Sequence, residues 1–219
     1  MKIDILTLFP HMFDGFLTES IIKRAIQKES VKINIVDIRD YTPYKNNQVD
    51  DYQFGGGGGM IMMCEPVFNA VDALRDGDEH IILLTPRGKT YDEKKAYELK
   101  EKKHLIIICG HYEGFDERIY TLADELVSIG NYILTGGEIP SMAITDSVVR
   151  LIDGVITNTS LETESFNDNL LDYPVYTKPR EFKGMSVPEV LVNGNHKLID
   201  EYRKKERIRI TKEYRSDLL

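Results

Sequence analysis

The 219-residue chain has no tryptophan, two cysteines and five histidines. Cys64 and Cys109 are too few for a disulfide framework and lack metal-ligand spacing. The histidines stand singly, so no zinc site is expected and the metal-ligand expectation is none. No apolar run approaches membrane-spanning length, which argues against a bilayer segment. The opening Met1-Lys2-Ile3-Asp4-Ile5-Leu6-Thr7-Leu8-Phe9-Pro10 has an acid at its fourth position and stops at a proline, unlike a secretory signal, so a cytoplasmic protein is expected. At 42% hydrophobic and 29% charged residues, the chain can bury one good core and carry a smaller appendage.

Charge is uneven. The net charge is −8, yet residues 178–219 hold 11 Lys/Arg against 7 Asp/Glu, leaving 17 basic against 29 acidic residues in 1–177. An acidic body with a basic tail suits a polyanionic partner, and equally a solvated helix of mixed charge.

Apolar segments alternate in kind. Lys2–Phe9 reads as a strand and Met12–Lys28 carries apolar residues at helical spacing. Val31–Ile38 alternates as a strand does. Further strands are expected at 80–84, 105–109 and 132–134, and helices over Asp92–Lys102, around Asp116–Leu122 and over Ile139–Ile152. Strands alternating with helices predict an α/β fold with a mainly parallel sheet. Residues 153–169 are polar and aperiodic. Beyond them Pro and Gly punctuate the basic part until Asn195, an N-cap, opens a charged helix toward Arg207. This divides the chain into an α/β domain at 1–153, a linker at 154–169 and a basic, mostly helical domain at 170–219.

Three apolar strands run into glycine-bearing loops: Thr85-Pro86-Arg87-Gly88, Gly110-His111-Tyr112-Glu113-Gly114, and the stretch from Ser128 to Pro140, in which Tyr132-Ile133-Leu134 is expected as a buried strand between Gly130 and Gly136-Gly137. An ordinary strand end accounts for any one of them. Three alike suggest convergence on a small molecule outside the carboxyl ends of a parallel sheet. The run Gly55–Gly59 invites a phosphate-cradle reading. Met60, where G-x-G-x-x-G needs glycine, and the missing Lys-Ser/Thr pair argue against it and leave a flap or turn. A nucleotide-dependent phosphotransferase using that run is the rival enzyme reading.

Several separate motifs then agree with one family. Asn47-Gln48-Val49-Asp50-Asp51, the glycine run with Met60, Cys109 to Arg118, Ser128 to Pro140, Asp146-Ser147-Val148-Val149-Arg150 and Gly194-Asn195-His196 resemble, in order and over nearly the whole chain, the bacterial tRNA (guanine-N1)-methyltransferases, knotted enzymes of the SPOUT class. The resemblance implies a trefoil knot in the α/β domain, S-adenosylmethionine as methyl donor, magnesium, a homodimer with each site assembled across the interface, and tRNA as partner, with neither membrane nor DNA. The substrate it implies is the guanosine immediately 3′ of the anticodon. Donor contacts carry over to Leu84, Thr85, Pro86, Gly110, Tyr112, Glu113, Ser128, Ile129, Gly130, Asn131, Tyr132, Ile133 and Leu134, with Gly136, Gly137 and Pro140 shaping the knot. Substrate contacts carry over to Asp50, Gly57, Ser165, Phe166 and His196. Arg150 matches the catalytic arginine. Glu164 stands where the family has its catalytic aspartate before Ser-Phe, and relatives continue past Leu219. A catalytically impaired tRNA-binding homologue is therefore the second alternative.

Overall fold

The computed structural model describes residues 1–157, 161 and 164–219. They form two compact units, Met1–Ile156 and Thr157–Leu219.

The first unit is built on five parallel strands in the order β2-β1-β6-β5-β7: β1 (Lys2–Thr7), β2 (Lys32–Asp37), β5 (Glu79–Thr90), β6 (His104–Ile108) and β7 (Glu125–Ser128). Parallel strands covered on both faces read as unbroken apolar runs. Accordingly β6, His-Leu-Ile-Ile-Ile, is buried at every position, as are Ile81–Leu84 of β5. The helices are α1 (Asp14–Thr18), α2 (Ser20–Gln27), α3 (Cys64–Leu74), α4 (Glu93–Lys100) and α5 (Glu138–Val149). On α2 and α3 the buried residues, Ile22 and Ala25, and Pro66, Val67, Ala70 and Val71, recur at the i, i+3, i+4 spacing of one face. Asp92 caps α4 by accepting from the Lys95 amide at 2.8 Å.

Two expected elements differ. The helix expected over 12–28 is a 3₁₀ turn at Pro10–Phe13 followed by two short helices. Ser20 turns into the left-handed region at φ +53°, and Thr18 Oγ1 donates back to the Asp14 carbonyl at 2.7 Å, a local bond that competes with helix continuation. The strand expected at 132–134 is not formed. The seventh strand is Glu125–Ser128, and Gly130, at φ +152°, ends it with its amide on Ser128 Oγ at 3.3 Å. Tyr132, Ile133 and Leu134 lie in the following loop, Ile133 80% exposed. Their apolar character serves a surface rather than the sheet.

The glycine run closes a hairpin between β3 (Asp50–Tyr52) and β4 (Met60–Met62), which pair antiparallel. Gly55, Gly56, Gly57 and Gly59 all have positive φ, a backbone that glycine adopts without Cβ strain. A helix does follow β4, but the glycines lie before that strand, so they do not form a strand-to-helix phosphate cradle.

In the second unit Asn195 caps α6 (His196–Tyr214), its Oδ1 accepting from the Leu198 amide at 3.3 Å. The helix continues past Arg207 to Tyr214, about two turns further. Buried Thr211 accepts from the Leu171 amide at 2.8 Å and donates to the Arg207 carbonyl at 2.7 Å, fixing the chain after the linker to the helix. A two-strand ribbon, β8 (Glu181–Phe182) and β9 (Met185–Ser186), turns through Lys183-Gly184, both at positive φ. No helix among the described residues is long and apolar enough to cross a membrane.

Ile107 is fully buried in β6 and, by strand alternation, faces the opposite side of the sheet from Ile106 and Ile108. Ile107→Ala should lower unfolding free energy by about 2–5 kcal/mol, read as a shift of the denaturant midpoint at constant slope; a smaller change would mean the layer repacks around the cavity.

Candidate functional site

In the sheet β6, β5 and β7 are neighbours, so the loops at their carboxyl ends must meet. They line one groove of about 560 Å³, within the range of small-molecule sites, roughly 300–1,000 Å³. The first loop is an interruption of β5 itself. Leu84 and Lys89 both stand opposite Val127 of β7, so Thr85-Pro86-Arg87-Gly88 bulges out of the sheet. The bulge can return because Gly88 has no side chain: a Cβ there would lie 2.4 Å from the Val127 amide nitrogen. Thr85 Oγ1 accepts from the Arg87 amide at 3.3 Å. The Arg87 guanidinium lies over the Tyr120 ring, 4.5 Å from its centroid, and bonds both Glu117 carboxylate oxygens at 2.8 and 2.9 Å.

The second loop, Gly110–Gly114, is tied on two sides. The Gly110 carbonyl accepts from the Gly137 amide at 2.9 Å, joining it to the third loop. The Glu113 amide donates to the Met60 carbonyl at 3.0 Å and the Met62 amide to the Gly114 carbonyl at 2.9 Å, joining it to the glycine hairpin. Tyr112 is held at φ +60°, an uncommon conformation for a bulky residue and one that costs free energy. Burial, then the Asp50 carboxylate, pushes its phenol above the ordinary tyrosine range.

The third loop, Ile129–Gly137, puts Tyr132, Ile133 and Leu134 on the groove wall and ends in Gly136-Gly137, which start α5. A Cβ on Gly137 would lie 2.6 Å from Cys109 Cα and 2.8 Å from the Gly110 amide nitrogen; one on Gly136 would lie 2.1 Å from His111 Nε2. Below this turn Glu138 is 1% exposed and accepts from Thr7 Oγ1 at 2.6 Å, with His111 Nε2 at 2.8 Å. Burial, then the charge of Glu138, pushes the Cys109 thiol far above its ordinary range. It therefore stays protonated and is no nucleophile.

A family model described as tRNA (Guanine-1)-methyltransferase TrmD matches residues 1–219. Curated proteins named tRNA (guanine-N(1)-)-methyltransferase from Bacillus cereus (strain AH820), Bacillus anthracis (strain A0248) and Bacillus thuringiensis subsp. konkukian (strain 97-27) are each 53% identical to the chain over 225 aligned positions, covering 100% of it and 92% of the relative. The chain belongs to this family.

Of the residues that the family resemblance marks for the donor, all but Asn131 line the groove. Asn131 is exposed within the same loop. Asp50 opens β3 opposite Met62, and Gly57 sits in the hairpin turn at φ +143°. Arg150 follows α5 as its C-cap and lies 3.9 Å from Glu93 Oε1; it is outside the groove lining. Glu164, Ser165, Phe166 and His196 belong to the second unit. There Ser165 Oγ accepts from the Asp172 amide at 3.0 Å, and Phe166, at φ +76°, lies under Arg215 with 5.8 Å from guanidinium to ring centroid. Glu162, the next carboxylate to consider as base after Glu164, lies outside the described residues.

Sequence reasoning missed His111, Glu138, Thr7 and Tyr120. A carboxylate directly after Gly136-Gly137 and just ahead of an otherwise apolar first turn was the available signal, because such an acid must find a buried partner. Among the described residues, Asp76, Glu79 and His104 also present possible metal-ligand atoms within 4.8 Å of one another. They sit where β5 and β6 begin, at the opposite end of the strands from the groove, with Arg75 3.0 Å from Glu79 and Lys2 3.6 Å from Asp76 already supplying positive charge.

Gly137 is wedged against backbone, which cannot swing aside. Gly137→Ala should cost about 1–3 kcal/mol, the scale of overpacking, and lower the thermal midpoint by several degrees; wild-type stability would mean that the turn has room the close approach denies.

Proposed function

We propose that the groove seats S-adenosylmethionine and that the chain uses it to methylate N1 of the guanosine immediately 3′ of the anticodon in tRNA. That the chain is a tRNA (guanine-N1)-methyltransferase, and so draws its methyl from S-adenosylmethionine, follows from its family and from 53% identity across its length. The observation that carries the donor site is the convergence of the three strand-end loops on one groove with an exposed apolar wall. The residues fit the donor. Ile133 and Leu134 offer apolar surface to a purine face, the glycine turns bring backbone close, and the volume suits a molecule of that size. S-adenosylmethionine supplies a methyl on a sulfonium, ready for transfer to a nitrogen nucleophile.

The rest falls to side chains. N1 of guanine carries a proton that must leave as the nitrogen attacks, which calls for a carboxylate base; we give that role to Glu164, which stands in the place of the family aspartate. Negative charge then grows on the guanine carbonyl oxygen, and the Arg150 guanidinium stabilises it more in the transition state than in the ground state. Asp50, Gly57, Ser165, Phe166 and His196 form the substrate surface in this reading. The eleven Lys/Arg of 178–219 hold phosphates. Arg150 and Glu164 belong to different units, and a homodimer that completes each site across its interface would bring such residues together. The exposed Tyr132, Ile133, Leu134 and Ile139 support a homodimer in supplying apolar surface for a second copy. The close passages at Gly88 and Gly137 support a trefoil knot, since threaded segments need backbone without side chains between them. We extend the reading to magnesium as an accessory ion and to a cytoplasmic location.

Two measurements test this. Ile133 is 80% exposed, so Ile133→Asp leaves the fold intact and should weaken S-adenosylmethionine binding about tenfold by calorimetry; unchanged affinity would remove this wall from the donor site. Glu164→Gln should slow single-turnover methyl transfer by about 10²–10⁴-fold, the usual worth of a general base, with tRNA and donor still bound. A near-normal rate would move the base elsewhere, and no transfer by the wild-type chain would leave a tRNA-binding protein.

A further inference from the structure

Glu138 is a buried carboxylate without a permanent cation. Among the described residues its partners are the Thr7 hydroxyl at 2.6 Å and His111 Nε2 at 2.8 Å. A buried charge so placed is costly unless something compensates it. His111 reaches from this carboxylate to the groove: it lines the groove, its side chain is 14% exposed, and its ring stands 4.6 Å from that of Phe9 and 6.1 Å from that of Tyr112. Neither partner is a permanent cation, so no fixed positive charge among them offsets a carboxylate under the groove floor. The other groups packed around it do not cancel this charge. The Cys109 thiol is protonated, Ser141 Oγ donates to the Glu138 backbone carbonyl at 2.7 Å, and Glu113 adds a further negative charge in the same loop. Two guanidinium groups bear on this region and each has a carboxylate partner: Arg39, over the Phe9 ring at 5.6 Å and bonded to Tyr112, is 3.7 Å from Asp37, and Arg87, in the groove lining, bonds both Glu117 oxygens.

We infer that the missing positive charge is the ligand's: the Glu138–His111 pair makes the groove prefer the cationic sulfonium of the methyl donor over the neutral thioether left after transfer. This rests on the donor-site reading above. Glu138 acts through His111 and is a positioning residue with an electrostatic task. Product is then released because it has lost the charge that the pair attracts.

The test compares affinities of S-adenosylmethionine and S-adenosylhomocysteine for the full chain by calorimetry. Glu138→Gln should weaken the sulfonium about tenfold, the order expected for unit charges roughly 10 Å apart at an effective dielectric of about 20, and the thioether less than about twofold. Glu138→Asp, which keeps the charge, should restore the preference. Equal weakening of both ligands would reduce the pair to a structural clamp and overturn the inference. His111→Gln, which leaves the carboxylate, serves if Glu138→Gln does not fold. In His111→Gln the carboxylate remains, so the preference for the sulfonium should persist; its loss would also overturn the inference. Wild-type chain that binds neither ligand would instead refute the donor site.

Discussion

The working end of this protein depends on places where no side chain fits. At Gly88 the returning bulge of β5 passes against the Leu126–Val127 backbone, and at Gly137 the turn into α5 passes against Cys109 and Gly110. Both passages bring main chain within a distance that a Cβ would close. Because interiors are packed to crystal-like density, such contacts fix the relative positions of the loops after β5, β6 and β7 to within the thickness of a methyl group. The groove is the space these three loops leave, so its shape is inherited from the glycines rather than from the residues that face a ligand.

The same economy carries over to the hairpin of five glycines. Its outer end, with Phe54 fully exposed, is free of the sheet, while its base is bound to the Gly110–Gly114 loop through the Met60 and Met62 backbone. A ligand that settles the second loop therefore also settles the root of the hairpin. Strain at Tyr112 sits on this junction, where backbone energy can be released or restored as the loop adjusts.

Much of this was legible in the sequence, and the failures have particular causes. Unbroken apolar runs at 81–84 and 105–108 marked buried parallel strands because both faces are covered, and following them located two of the Gly-bearing loops; the third was found around Tyr132-Ile133-Leu134, expected as a strand. Tyr132-Ile133-Leu134 misled because periodicity cannot distinguish an apolar triplet that packs in a core from one that walls a groove. The real strand, Glu-Leu-Val-Ser, has only two apolar residues and was too short to signal. The break at Ser20 was hidden for a related reason: the apolar spacing continues across it while the backbone does not. No local pattern could place Glu138 under the groove, since its partners, Thr7 and His111, are 131 and 27 residues away. Nor does the chain alone relate Arg150 to Glu164, which stand on separate units.

The two ends of the sheet handle buried charge in opposite ways. Where β1 and β6 begin, Asp4 is fully buried and held by Lys2 at 2.9 Å, His104 Nε2 at 2.8 Å and Asn34 Nδ2 at 2.6 Å. A permanent cation and two further partners satisfy it, and the arrangement joins β1, β2 and β6 at their starts. Where the strands end, Glu138 has an equally buried carboxylate, yet its partners are a hydroxyl and an imidazole that also faces the groove. Stability alone would favour the first arrangement at both ends, because an incompletely paired buried charge destabilises the fold. Departures from local optimisation tend to mark working sites. The end with the uncompensated carboxylate is also the end where the glycine-shaped loops converge, and a cationic ligand is the one component that would satisfy both.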